Sequence, residues 1–175
     1  MKSSLRSAAL AILSAAALHG VPVFAADGGA PPGVTTPGVT TPSVTTPGGS
    51  PLGLWKTFDD KTGSARAIVR VYEENGKLFG RIERSFTPGA EKRVCGVCTD
   101  ERKNQPIIGL LIIRDMRASD GEYSGGDILD PDSGSVYRCK FHVDDSGTHL
   151  IVRGFIGISL LGRTQSWLRQ DSLPP

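Results

Sequence analysis

Two cysteines three residues apart, in Cys95-Gly96-Val97-Cys98, are the side chains best spaced for chemistry in this chain. In an oxidising compartment such neighbouring thiols close a disulfide, and that is the favoured reading. Cys139 is the third thiol, so one of the three must stay free; its apolar strand face points to a buried, inert group. A thiol oxidoreductase is the first rival. Redox motifs of this spacing place their first cysteine at a helix N-terminus, whose partial positive charge lowers the thiol pKa, and no helix-forming pattern surrounds Cys95. Zinc is the second rival. Cys95, Cys98 and Cys139 with His142 or His149 would make a ligand set, but no second close-spaced ligand pair accompanies the CxxC. No metal site and no cofactor are expected.

Other catalytic patterns are absent. Gly157-Ile158-Ser159-Leu160-Leu161-Gly162 misses the spacing of a nucleophile elbow, and no HExxH or phosphate-cradling glycine loop occurs. Asp130-Pro131-Asp132-Ser133-Gly134 resembles a calcium loop only in part: its glycine comes one position early and Phe141 stands where a bidentate Glu is needed. A β-turn closed by an Asp side chain is the expected structure there. No residue is assigned a catalytic role. Arg70 and Arg153 each interrupt an apolar strand, where a guanidinium could either enter a barrel lumen and hold an anionic head group or face water. Ile151 and Phe155 share the parity of Arg153, which points it inward. With Tyr137, these two arginines are the ligand-binding candidates.

Such residues need strands to position them. Segments 65–73, 77–82, 107–116, 123–129, 135–143, 148–156 and 164–169 are rich in β-branched and aromatic residues, and a further strand starts near Gly53-Leu54-Trp55. Asn75-Gly76 is a strong hairpin signal, because both residues tolerate positive φ. Within 135–143, Tyr137, Cys139, Phe141 and Val143 alternate with Arg138, Lys140 and His142, the pattern of a strand wet on one side. Residues 84–105 read as one long loop, of a length that is functional or pinned by a cross-link. Short turns at regular spacing predict an all-β domain: an antiparallel up-and-down β-barrel of about eight strands. The apolar tip Ile158-Ser159-Leu160-Leu161 reads as an apolar lid, a membrane-touching patch or packing against the barrel end, the last being the conservative expectation.

Upstream, Lys2 and Arg6 precede an apolar run from Ala8 to Leu18, and Val23-Phe24-Ala25 suits an export cleavage site. Residues 1–25 are therefore expected to be a removed signal, with a periplasmic or secreted product. The run is too short to span a bilayer, so no transmembrane segment is expected in the mature chain. Residues 26–50 hold a repeat of Pro-Gly/Ser-Val-Thr-Thr and read as a disordered linker, 51–170 as the barrel domain and 171–175 as a tail. Cleavage leaves 18 basic and 18 acidic side chains, which removes the electrostatic case for nucleic acid.

Five motifs carry a family likeness. They are Ile68-Val69-Arg70-Val71-Tyr72, the Cys95-x-x-Cys98 loop, Pro106-Ile107-Ile108-Gly109-Leu110, Gly126-Asp127-Ile128-Leu129-Asp130-Pro131, and Val152-Arg153-Gly154-Phe155-Ile156-Gly157 running on to Arg163-Thr164-Gln165. Over residues 53–169 the chain resembles a bacterial exported family, domain of unknown function twenty-one forty-seven, which implies a small secreted barrel and no activity. Gly53-x-Trp55 with Trp167-x-Arg169 is similar to the calycin arrangement of lipocalin-like barrels. That similarity implies that Trp55, Trp167 and Arg169 close the barrel bottom. The functions expected are binding of a small, partly apolar ligand, an interaction role with a cell-envelope partner, or thiol redox chemistry.

Overall fold

A computed structural model describes residues 48–174; the expected export signal and nearly all of the repeat linker lie outside the described residues. Eight strands follow one another: β1 (Gly53–Phe58), β2 (Ala65–Glu74), β3 (Lys77–Ser85), β4 (Leu111–Ser119), β5 (Glu122–Asp130), β6 (Ser135–Val143), β7 (His149–Phe155) and β8 (Gly162–Gln170). Each pairs antiparallel with the next, and β8 returns to β1, so the sheet closes into a barrel without free edges. A single 3₁₀ turn, Ala90–Lys92, interrupts the long β3–β4 connection.

Turn chemistry sets the hairpins. Asn75 and Gly76 take φ of 52° and 73° between β2 and β3. Three other turns are built on an aspartate that accepts backbone N–H groups. Asp59 accepts from Lys61 (3.1 Å) and Thr62 (2.8 Å), Asp130 from Asp132 (3.0 Å), and Asp144 from Thr148 (3.1 Å) and His149 (2.9 Å). The His149 N–H, ahead of the Ser146 hydroxyl, holds the Asp144 carboxyl down at about 2. The Asp130 segment is thus a turn of the protein's own backbone, with Gly134 N–H bonded back to the Asp130 carbonyl at 2.8 Å.

The apolar run 107–116 is not one strand. Gly109 takes φ of 89° and reverses the chain, so that Gly109 N–H donates to the Ile82 carbonyl (2.7 Å) and Ile82 N–H donates to that of Leu110 (3.0 Å). Ile107 and Leu110 are buried from this corner, and β4 begins only at Leu111. Further on, Asp115 lies at φ 57° and Gly125 at φ 85°, and the pairings of β3 with β4 and of β5 with β6 each slip there. These bulges bend neighbouring strands at one place and tighten the barrel wall. Gly126 is required at the bend, because a Cβ there would lie 1.9 Å from the Arg114 carbonyl oxygen.

One end of the barrel is shut. The Trp55 ring is wholly buried and its indole N–H donates to the Pro51 carbonyl at 2.8 Å. The Arg169 guanidinium lies 4.1 Å from the centre of that ring, an attractive cation–π geometry. Its nitrogens also donate to the carbonyls of Gly147 (2.7 Å), Leu52 (3.2 Å) and Ser50 (2.7 Å). One side chain thus ties the entry to β1, the end of β8 and the β6–β7 turn. Burial lowers the Arg169 pKa, which leaves the group charged at any ordinary pH.

Candidate functional site

Side chains fill the lumen at its closed end. Val71, Leu78, Met116, Phe141, Val143 and Leu150 pack there with Trp55, in a buried cluster that continues through Val69, Ile82, Val152 and Trp167. Towards the other end the small residues Ala67 and Gly154 leave space, and a cavity of about 530 Å³ opens there. Val69, Ile82, Ile112, Ile128, Val152 and Trp167 make its apolar wall. A Cβ placed on Gly154 would meet Ile128 at 3.4 Å and Tyr137 at 3.5 Å, which is ordinary contact distance. Gly154 therefore serves the cavity rather than the backbone. The volume lies in the range of small-molecule sites.

Polar groups are few and lie near the mouth. Thr57 donates its hydroxyl to the Ala67 carbonyl (3.4 Å). Gln165 donates to both Asp60 oxygens (3.1 and 3.2 Å) and accepts from the Trp167 indole (3.1 Å). At the rim, Arg66 joins Asp59 (3.7 Å) and Asp132, Arg93 meets Asp132 at 3.1 Å, and Arg163 pairs with Asp60. Backbone donation from Thr62 leads the effects that hold the Asp59 carboxyl below its usual value. The Tyr137 hydroxyl has no hydrogen-bond partner among the described residues, and its ring lines the cavity.

Of the ligand-binding candidates, then, the structure brings only Tyr137 to the cavity. Arg70 lies on the outer wall, where its Nε donates to Glu83 at 2.8 Å beside Arg81 at 2.9 Å. Burial pushes the Glu83 carboxyl up, but the two guanidiniums outweigh it and the net shift is downward. Arg153 is also outside, contrary to its expected parity. The inward face of β7 is Leu150, Val152 and Gly154, because these pair with Val143, Phe141 and Cys139 of β6. Ile151 and Phe155 carry apolar character to the outer face, so composition alone assigned the wrong side. Trp167, grouped with the closure, is a cavity wall residue as well as a core one.

The long β3–β4 connection lies beside the open end, against the β5–β6 turn, through Cys95 at Pro131 and Arg93 at Asp132. Cys95 and Cys98 form a disulfide with Cα atoms 5.4 Å apart, and both are buried. Cys95 N–H donates to Gln105 (2.8 Å), Asn104 N–H to Cys95 (2.9 Å), and the Cys95 sulfur approaches the Pro131 carbonyl at 3.8 Å. Arg102, only 2% exposed, bonds Asp100 and the Leu111 carbonyl (3.3 Å), which fastens the connection to β4. That guanidinium draws the Asp100 carboxyl down to about 2. Burial pushes the Cys139 thiol up to about 12, with the charge of Asp127 adding to it. Among the described residues no three His, Cys, Asp or Glu side chains come together as a metal site.

Sequence reasoning missed most of the wall. Thr57, Ala67, Gly154 and Gln165 carry no chemical signature, and the inward face of β7 follows only from its register with the alternating strand β6. The apolar tip was also misplaced: Ile158, Leu160 and Leu161 are 62%, 81% and 71% exposed instead of packed on the barrel end.

Among solved structures, the protein HP1028 from the human pathogen Helicobacter pylori, described as belonging to the lipocalin family, is similar in fold. It superposes with a TM-score of 0.60 at 17% identity, over 69% of this chain and 82% of that one. At that identity the likeness shows the fold alone. Among curated proteins no match is found. Residues 53–169, which span the barrel from β1 into β8, match the family model described as "Uncharacterized protein conserved in bacteria (DUF2147)", and the chain belongs to that family.

Proposed function

We propose that the protein is an exported, non-enzymatic binding barrel that takes a small, partly apolar ligand into its open end. The observation that carries this reading is the cavity of about 530 Å³, walled by aliphatic side chains and by Trp167. Buried apolar surface supplies the affinity of such a site, and few polar groups suffice to orient the ligand. Tyr137 in the lining has a hydroxyl without a partner among the described residues, and Arg66 and Arg163 stand in ion pairs at the rim. An acyl or isoprenoid chain with one polar end fits that distribution. Export rests on the positively charged, then apolar, start of the sequence.

Native mass spectrometry with a series of saturated fatty acids of increasing length tests the reading. One-to-one adducts that strengthen with chain length up to a limit are expected, since a closed-bottom cavity has a fixed depth. Absence of adducts across the series, or adducts of unlimited stoichiometry, would overturn it.

A further inference from the structure

The β7–β8 turn carries apolar side chains that the fold leaves in water. Ile156, Ile158, Leu160 and Leu161 are 71%, 62%, 81% and 71% exposed, the four most exposed large hydrophobic residues among those described. The turn is nevertheless held in shape. Arg153 donates from Nε to the Ser159 carbonyl (2.7 Å), from Nη2 to that of Leu160 (3.1 Å) and from Nη1 to the Thr164 hydroxyl (2.7 Å). Leu161 N–H closes the turn on the Ile158 carbonyl at 3.1 Å, and Arg138 reaches the Gly157 carbonyl at 3.5 Å. A guanidinium thus commits its donors to presenting an apolar tip outward.

Two arginines at the tip carry charge that no carboxylate meets among the described residues: Arg138 and Arg153 bond only its backbone and Thr164. Arg163 is paired with Asp60, and Asp59 and Asp132 stand with Arg66 elsewhere on the rim. Exposed aliphatic side chains on a turn held by two arginines without carboxylate partners suit the interface of a bilayer, where apolar atoms enter the acyl boundary and guanidiniums meet anionic head groups. A protein partner would need a broad complementary patch of roughly 800 Å² on each side, which a narrow protruding turn does not offer. Ile156 and Leu161 also line the cavity mouth, so apolar surface leads from the tip into the lumen.

We infer that residues 156–161 dock this barrel, mouth first, on an anionic lipid surface. Ile158 and Leu160 enter the interface, and Arg138 lies beside lipid phosphate. Docking stands on the tip alone and does not require that the cavity hold a ligand.

Flotation of the full protein with vesicles of phosphatidylcholine, with and without phosphatidylglycerol, tests the inference. Co-flotation that is stronger on the anionic vesicles is expected. Ile158→Asp and Leu160→Asp, which lie off the cavity wall, should each weaken it by about tenfold or more while the melting temperature and fatty-acid adducts stay unchanged. Arg138→Gln should weaken binding to the anionic vesicles by about fivefold and leave neutral vesicles unaffected. Gly154→Leu should keep vesicle binding, so a failure of docking and a failure of the cavity reading are separable. No flotation, or flotation untouched by the two Asp variants, would overturn the proposal. A dimer dissolved by those variants without vesicle binding would assign the tip to a second copy instead, and equally overturn it.

Discussion

Cys139 shows how a single environment decides a residue's chemistry. Its thiol faces the core opposite Gly126 and Gly154, and burial carries its pKa to about 12. Only the thiolate reacts readily, so Cys139 should resist iodoacetamide in the folded protein at pH 8 and be alkylated once urea unfolds it. Mass spectrometry of the two samples checks this, and one label after unfolding without reductant is the expected count given the Cys95–Cys98 bridge. Gly126 makes the complementary point about volume. Gly126→Ala drives a methyl into the Arg114 carbonyl, a backbone atom that cannot swing away, and should cost about 1–3 kcal/mol in urea unfolding. Trp55 is the largest fully buried side chain of the closed end. Trp55→Ala should cost about 3–5 kcal/mol, because it removes a wholly buried indole from the core and leaves a cavity. An unchanged unfolding midpoint would refute its role as the plug.

The elements differ in what holds them. Most hairpins rest on local turn chemistry, whereas the long β3–β4 connection rests on the disulfide and on the buried Arg102–Asp100 pair. Asp100→Asn removes the carboxylate charge beside buried Arg102, which keeps Asp127 at 3.7 Å, and should destabilise by about 2 kcal/mol. The pH dependence has a defined sign. The carboxyls of Asp100 and Asp144 lie at about 2 in the fold against an ordinary 3.8. Groups lowered by folding stabilise fully above the unfolded value and lose that contribution as pH falls through the folded one. Urea midpoints measured against pH should therefore stay level near neutrality and drop between about pH 4 and pH 2, less steeply in Asp100→Asn. Strand order and the aspartate turns were legible in the sequence, because alternation and turn residues are local signals. The bulges at Asp115 and Gly125 were not, since a slip in pairing depends on both neighbouring strands. Arg153 was misread for a related reason. β7 is apolar on both faces, Gly154 has no side chain to mark the inner one, and only pairing with β6 decides the parity.

For the whole molecule, the two ends of the barrel divide the work. Trp55 and Arg169 seal one end and supply rigidity, while small residues hollow out the other. Such a cavity costs packing energy, and its upkeep in a domain of this size is what a binding role would explain. The CxxC pair, the most conspicuous chemistry in the sequence, is spent on fastening the connection beside the mouth. Titration of the protein and its Gly154→Leu variant with N-phenyl-1-naphthylamine shows whether this hollow binds. A Cβ at this position meets Ile128 and Tyr137 side chains at ordinary contact distance and no backbone, so a larger side chain is expected to take up cavity volume. Saturable one-to-one fluorescence enhancement, displaced by fatty acid, is expected in the wild-type protein, with a loss of about tenfold or more in affinity in Gly154→Leu at unchanged fold. Equal enhancement in both proteins, or none in either, would contradict the binding role.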